Sequence, residues 1–329
     1  MQTLFQKTRA YKIVKEEQRR GVFHHAYLLL YPDPRNLKKA LKVFAKLLFC
    51  CDEQNGEAES RLFRLIDEES FSDCLFFPED GKKFMVEDAE SIAEESALKP
   101  VEGKKKLFII GDFSEATPAA QNKLLKLLEE PPEGVKFLLG ATSAFSVLST
   151  VLSRVKKLEI PPFSQEDVRD CLLRTYGRKN DATEYELCSA ACGGILGTAE
   201  NMLEGGAYKS LFNEALALCL SEPWEVPALV KKSGETKRKK ELLSFLSLLF
   251  RDALFLKTAE REKNKSDVFT KNTLLTSERE NLKKIAKKYS LSALIKAQEW
   301  IADAERQVAF NAVFPQCLEL LIANIQKEK

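Results

Sequence analysis

The apolar positions along the chain change rhythm repeatedly. Residues 4 to 20 repeat with a helical period, His25 to Tyr31 form a nearly continuous apolar run, and Asn36 to Leu48 return to the helical period. Further strand-like runs are "LFRLI" (62–66), "KLFIIG" (106–111), "VKFLLGAT" (135–142) and "VKKLEI" (155–160), with helical patterns near 86–98 and 118–130 between them. The second of those helices has a defined start: Thr117 is placed to cap it and Pro118 takes the first helical position, where a missing N–H costs nothing. Strands alternating with helices predict a mostly parallel sheet covered on both faces, a three-layer α/β domain.

The alternation ends at "EIPPFSQEDV". Pro161 and Pro162 interrupt the last strand, Ser164 can cap a helix with Asp167 three residues on, and no strand pattern follows. Residues 163 to 205 predict three short helices broken by glycines. From Ala207 onward the patterns are long and amphipathic, including "KRKKELLSFLSLLFRDALFL" and "SALIKAQEWIADAERQVAFNAVFPQCLELLIANI". The expected division is 1–162, 163–206 and 207–329.

Composition adds three constraints. The 329 residues are too many for one ordinary core, and 51 basic against 49 acidic side chains leave a net charge of only +2. Any nucleic-acid contact is therefore expected to be local. The N-terminus alternates charged and apolar residues without the apolar stretch of a signal peptide, and nothing approaches the ~18 consecutive apolar residues of a membrane span. A cytoplasmic protein with no membrane contact is expected. The eight cysteines contain no CxxC pair and sit mostly in apolar helical stretches, as buried free thiols do; adjacent Cys50 and Cys51, with Cys74, are poorly placed for one tetrahedral zinc, so no metal is expected.

"LLLYPDPRNLKKALKVFAK" (28–46) has the strand, turn and helix of a phosphate-binding loop but not its chemistry. A working loop reads GxxxxGK[ST]: glycines let backbone amides wrap the phosphates, lysine neutralises charge and the hydroxyl holds magnesium. Here Tyr31, Asn36, Leu37 and Lys38 occupy those four positions, and Pro32 and Pro34 remove amide donors. No nucleotide cofactor is expected. Local spacing alone leaves an ordinary turn as the simpler reading.

The neighbouring residues add a resemblance. "GVFHHAYLLLYPDPRNLKKALKVFAKLLFC" resembles the start of the ATPase core in bacterial clamp loaders of the AAA+ class, with His25, Ala26, Tyr27, Leu28, Phe44, Ala45 and Lys46 at matching positions. Ala119 to Pro132, of the type Ala-Ala-x-x-x-Leu-Leu-Lys-x-Leu-Glu-Glu-Pro-Pro, is highly characteristic of that family. The resemblance spans roughly residues 10 to 205 and implies an AAA+ (RecA-like) α/β domain with a parallel sheet, a small helical lid domain and an all-α C-terminal collar domain.

It also marks positions. Where the family has two acidic residues after the third apolar strand, this chain has Gly111 and Asp112; Thr142 matches the residue that senses the γ-phosphate, and Gly197 stands where a second sensor arginine is usual. Ser153 and Arg154 match the first two residues of the Ser-Arg-Cys motif, with Val155 replacing the cysteine. In the family that arginine enters a neighbouring subunit's nucleotide site, where a guanidinium stabilises the transferring phosphoryl group.

Loss of the cis machinery with retention of the trans arginine resembles the ATP-independent, delta-prime type of subunit. The resemblance therefore implies a stator without ATPase or polymerase activity of its own, Arg154 as a trans finger with Ser153 supporting it, gamma/tau motor and delta subunits as partners, and a sliding clamp and primed DNA reached through the complex. It also implies that the zinc module of many relatives has been lost near Cys50.

Two other features are read more simply. His24 and His25 are expected on opposite faces of a strand, and so not as an acid–base or metal pair. "KKSGETKRKK" (231–240) carries six basic residues, expected as a solvated loop leading into a helix; phosphate contact is the sharper alternative, without interleaved aromatics to stack bases.

Overall fold

The computed structural model describes residues 2–49, 56–79, 81–177, 182–206, 208–261 and 274–328. They form two compact units, Met1–Pro162 and Phe163–Lys329.

The first unit is built on a five-stranded sheet: β1 (Ala26–Leu30), β2 (Cys74–Phe77), β3 (Lys106–Asp112), β4 (Val135–Ala141) and β5 (Lys156–Glu159), in the order β2-β3-β4-β1-β5. Every neighbouring pair is parallel, with Leu28 opposite Leu139 on one side and Lys157 on the other. A parallel strand is covered on both faces, which is why β1 reads as an unbroken "AYLLL". Helix α1 (Gln2–Gln6) and α2 (Arg9–Arg20) precede β1, and α3 (Pro34–Phe49) follows it. Leu37, Leu41, Phe44 and Leu48 recur on the buried side of α3, each burial worth about 1.5–3 kcal/mol. Gly140 lets α3 approach the sheet, since an added Cβ would lie 2.8 Å from the Leu41 Cδ1 atom. The opposite face packs Leu28, Phe108, Phe137 and Leu139 against α5 (Val86–Ser96) and α6 (Pro118–Glu129).

Three local expectations are corrected. "LFRLI" is not a strand; it lies in α4 (Gly56–Asp67), where its apolar residues fall on a helical repeat. The edge strand is instead the four-residue "CLFF" of β2, too short to stand out from its surroundings. The 4–20 repeat is two helices, divided at Thr8, whose hydroxyl accepts the Tyr11 N–H at 3.2 Å. His24 and His25 stack at 4.4 Å between ring centroids, because the chain has not yet entered the alternating geometry of β1. Thr117 does cap α6, accepting the Ala120 N–H at 3.2 Å.

The second unit is helical throughout its described residues. Ser164 caps α8 (Gln165–Tyr176) by accepting the Asp167 N–H at 3.1 Å. Next come α9 (Ala182–Ala191), α10 (Leu196–Glu204), α11 (Tyr208–Leu220), α12 (Val226–Gly234) and α13 (Lys239–Arg261), then three helices at Arg279–Lys288, Leu291–Ala309 and Phe314–Lys327. The 292–325 pattern is thus broken near Asn311, whose φ of 62° cannot continue a right-handed helix. The buried Asp252 carboxylate in α13 accepts the Leu274 and Leu275 N–H groups at 2.7 and 2.8 Å.

A second buried carboxylate fixes the entry to β3. Asp73, just before β2, accepts the N–H groups of Val101, Glu102 and Gly103 at 2.7, 2.8 and 2.9 Å. Asp73→Ala strands all three donors and is expected to cost about 3 kcal/mol in urea-unfolding free energy. A loss under about 0.5 kcal/mol would contradict this account.

Candidate functional site

In a parallel sheet with crossover helices, ligands bind beyond the carboxyl ends of the strands. Four of the marked positions, Tyr31, Asn36, Leu37 and Lys38, lie just after β1 at that edge. Asp33, just ahead of Pro34 at the start of α3, is 1% exposed. Its carboxylate accepts the Asn36 backbone N–H at 3.2 Å, the Asn36 side-chain amide at 3.0 Å and the Tyr31 hydroxyl at 3.1 Å. A helix N-terminus attracts anions through its unpaired N–H groups and its dipole. Here the protein's own carboxylate occupies that place.

The other loop residues are also engaged. Tyr31 is buried edge-on against Phe5 at 5.5 Å, Leu37 is in the core, and Lys38 bonds Glu69 at 2.7 Å while lying 5.8 Å from the Phe76 ring. Burial pushes the Glu69 carboxyl up, but Lys38 and Lys42 outweigh it and hold the group below its usual range. The adjoining cleft, lined by Lys38, Phe76, Pro78, Lys82, Gly111 and Asp112 among others, encloses about 160 Å³. Ligand pockets commonly reach ~300–1,000 Å³.

Asp112 and Thr142 are brought together at the ends of β3 and β4. Asp112 accepts the Thr142 hydroxyl at 3.1 Å and the Thr142 N–H at 3.3 Å, together with the Ser114 N–H at 3.1 Å and the Ser114 hydroxyl. Its carboxylate ties two strand ends and a turn. Gly111 has no side chain to add, and Gly197 is buried in the first turn of α10.

Arg154 lies at the other edge of the sheet. It follows the short helix α7 (Ser149–Leu152) and precedes β5; since Lys156 pairs with Tyr27, Arg154 is level with His25. Six residues of extended chain separate His25 from Tyr31, roughly 20 Å. Arg154 Nη1 donates to the Thr150 carbonyl at 2.7 Å and the Ser153 hydroxyl at 3.1 Å, while Nη2 pairs with Glu129 at the end of α6. The Ser153 hydroxyl donates to the Thr150 carbonyl at 2.9 Å. The His25 imidazole lies against the Leu128 and Arg154 backbones, and burial, followed by the neighbouring His24, lowers its pKa.

Residues 6–164 match a family model described as DNA polymerase III, delta subunit. That match covers 159 of the 329 residues, just under half of the chain. The chain is similar to the DNA polymerase III subunit tau/gamma of Haemophilus influenzae, 30% identical over 52% of this chain and 26% of that protein. It is also similar to the delta-prime subunit of Bacillus subtilis, 27% identical over 50% of each chain. The matches thus span from about a quarter to half the length of these curated relatives. A gamma-subunit-related protein of Thermotoga maritima overlays 96% of this chain and 98% of its own at 18% identity, with a TM-score of 0.44, too loose to bear on function.

Within residues 6–164 the marked positions fall into two groups, one at each edge of the sheet. Asp33 was not among the residues singled out by sequence, and Glu129 stood out only as part of the Glu-Glu-Pro-Pro segment. The dipeptide Asp33-Pro34 carries a recognisable signal, a capping residue followed by proline at the first helical position. Nothing local marks Glu129 as a partner of Arg154, which is 25 residues away. Cys50 and Cys51 lie outside the described residues. Cys74 is buried in β2, and burial raises its thiol pKa well above the usual range.

Asp33→Ala removes the capping acceptor and is expected to cost about 1–2 kcal/mol of stability, with Asp33→Asn losing less. Urea unfolding of both variants checks this; equal stability of Asp33→Ala and wild type would contradict the capping role.

Proposed function

We propose that the chain is a non-hydrolysing subunit of a DNA polymerase III clamp loader, a stator that supplies Arg154 in trans to a neighbouring motor subunit. The observation that carries this reading is the Asp33 carboxylate at the start of α3, where a bound nucleotide's phosphate would have to sit. Placing a phosphate there brings two anions together in a buried site. The position of Arg154 at the opposite sheet edge supports action on another subunit, since its side chain cannot span the roughly 20 Å back to the loop at 31–38. An arginine finger is worth about 10³ to 10⁵ in rate.

In the same reading, residues 163–206 serve as a lid and 207–329 as a collar joining gamma/tau-type and delta subunits, with a sliding clamp and primed DNA engaged through the assembly. Tau and gamma subunits among the relatives favour a motor as the second reading. That reading requires the phosphate position that Asp33 occupies.

A complex reconstituted with the motor subunit tests the finger. Arg154→Ala, at equal assembly, is expected to lower the DNA- and clamp-stimulated ATPase rate at least tenfold. An unchanged rate would reduce the chain to a scaffold. Glu129→Gln weakens the half-exposed pair that Arg154 leaves on reaching a phosphate, and is expected to raise the stimulated rate about twofold. A fall instead would identify the Glu129 pair as the working pose.

A further inference from the structure

The basic run 231–240 has no part in the Arg154 reading, and the fold changes what surrounds it. Lys231 and Lys232 lie in the last turn of α12, where cations offset the helix dipole. Lys239 and Lys240 open α13, the end at which a cation is electrostatically unfavourable, so helix stability does not account for them. Six cations and one carboxylate, Glu235, fall within these ten residues. Lys231, Lys232, Lys237 and Lys240 are exposed. Glu305 is the carboxylate felt by Lys240, and Asp303 is paired with Arg306.

The run contains no aromatic residue, but the structure supplies one from 70 residues further along. Gly234 packs against Pro315, where an added Cβ would fall 2.8 Å from the proline Cγ, and Lys239 Nζ lies 5.8 Å from the centroid of the Phe314 ring. The turn leading into Phe314 is thereby fixed beside the basic run. That turn exposes Phe310 at 87% and Val313 at 58%. Phe310 is four residues from Phe314, so its Cα lies within at most ~14 Å of it. An exposed ring gains nothing from the protein core. Cations that track a backbone, set beside a bare aromatic face, are the elements of a single-strand nucleic-acid platform.

We propose that this end of the helical unit, formed by Lys231, Lys232, Lys237, Lys240 and Phe310, binds single-stranded nucleic acid, with the lysines on phosphates and Phe310 stacked on a base. The proposal is independent of the Arg154 reading. Arg238 and Lys239 serve the architecture instead: the Arg238 guanidinium covers Gly205 and Lys239 faces Phe314.

The test is fluorescence anisotropy of a labelled 20-nucleotide oligothymidylate titrated with the full chain at several salt concentrations. Three to four phosphate contacts give a slope of log K against log salt of about −2 to −3. Lys232→Gln/Lys237→Gln/Lys240→Gln is expected to flatten that slope by about 2, and Phe310→Ala to weaken binding at least ~5-fold at unchanged slope. All four side chains are exposed, and circular dichroism confirms that the variants fold. No binding at about 50 µM in low salt, or variants that bind like wild type, would overturn the proposal. Polyglutamate competing as well as unlabelled oligothymidylate would also overturn it, assigning the surface to an acidic protein.

Discussion

A parallel sheet has no face it can leave to water, and the arrangement of the first unit follows from that constraint. β1 is buried between β4 and β5 in the sheet plane and between helical layers above and below. Each strand must therefore return by a crossover, which collects every strand-to-helix turn at one edge and every helix-to-strand turn at the other. The loop at 31–38, Asp112 and Thr142 are gathered at the first edge, while Arg154 is delivered to the second. The separation of the two groups is a property of the topology.

At the first edge the polar groups satisfy one another. Asp33 closes the start of α3, Asp112 ties β3 to β4 through Thr142 and Ser114, and Lys38 turns to Glu69. These bonds use groups that a nucleotide site would hold ready for phosphate, magnesium and water. At the second edge Arg154 keeps a partly exposed guanidinium on Glu129, a carboxylate that is itself half exposed. Exposed ion pairs of this kind are weak, so exchanging Glu129 for a stronger anion costs little.

Much of the fold was legible in the sequence, and the misreadings have identifiable causes. β1, β3 and β4 stood out because doubly buried strands are continuous apolar runs, and α6 because Thr117 and Pro118 mark its start. "LFRLI" looked like such a run only when cut from the helical repeat around it, and "CLFF" was too short to register. At the site, the missing loop glycines could be read directly, but what replaced them could not: Asp33 matters through bonds to Tyr31 and Asn36 that exist only once the turn has formed. The Glu129–Arg154 pair and the packing of Phe314 and Pro315 against the 231–240 run join residues distant in sequence, and no local pattern announces them.

The central claim is that Asp33 takes the place of a nucleotide's phosphate at α3. Isothermal titration of the full chain with Mg-ATP tests it without any partner. The account predicts no saturable binding up to about 1 mM, an affinity weaker than about −4.1 kcal/mol. Saturable binding in the micromolar range would contradict it, because it would require Asp33 to leave the helix start.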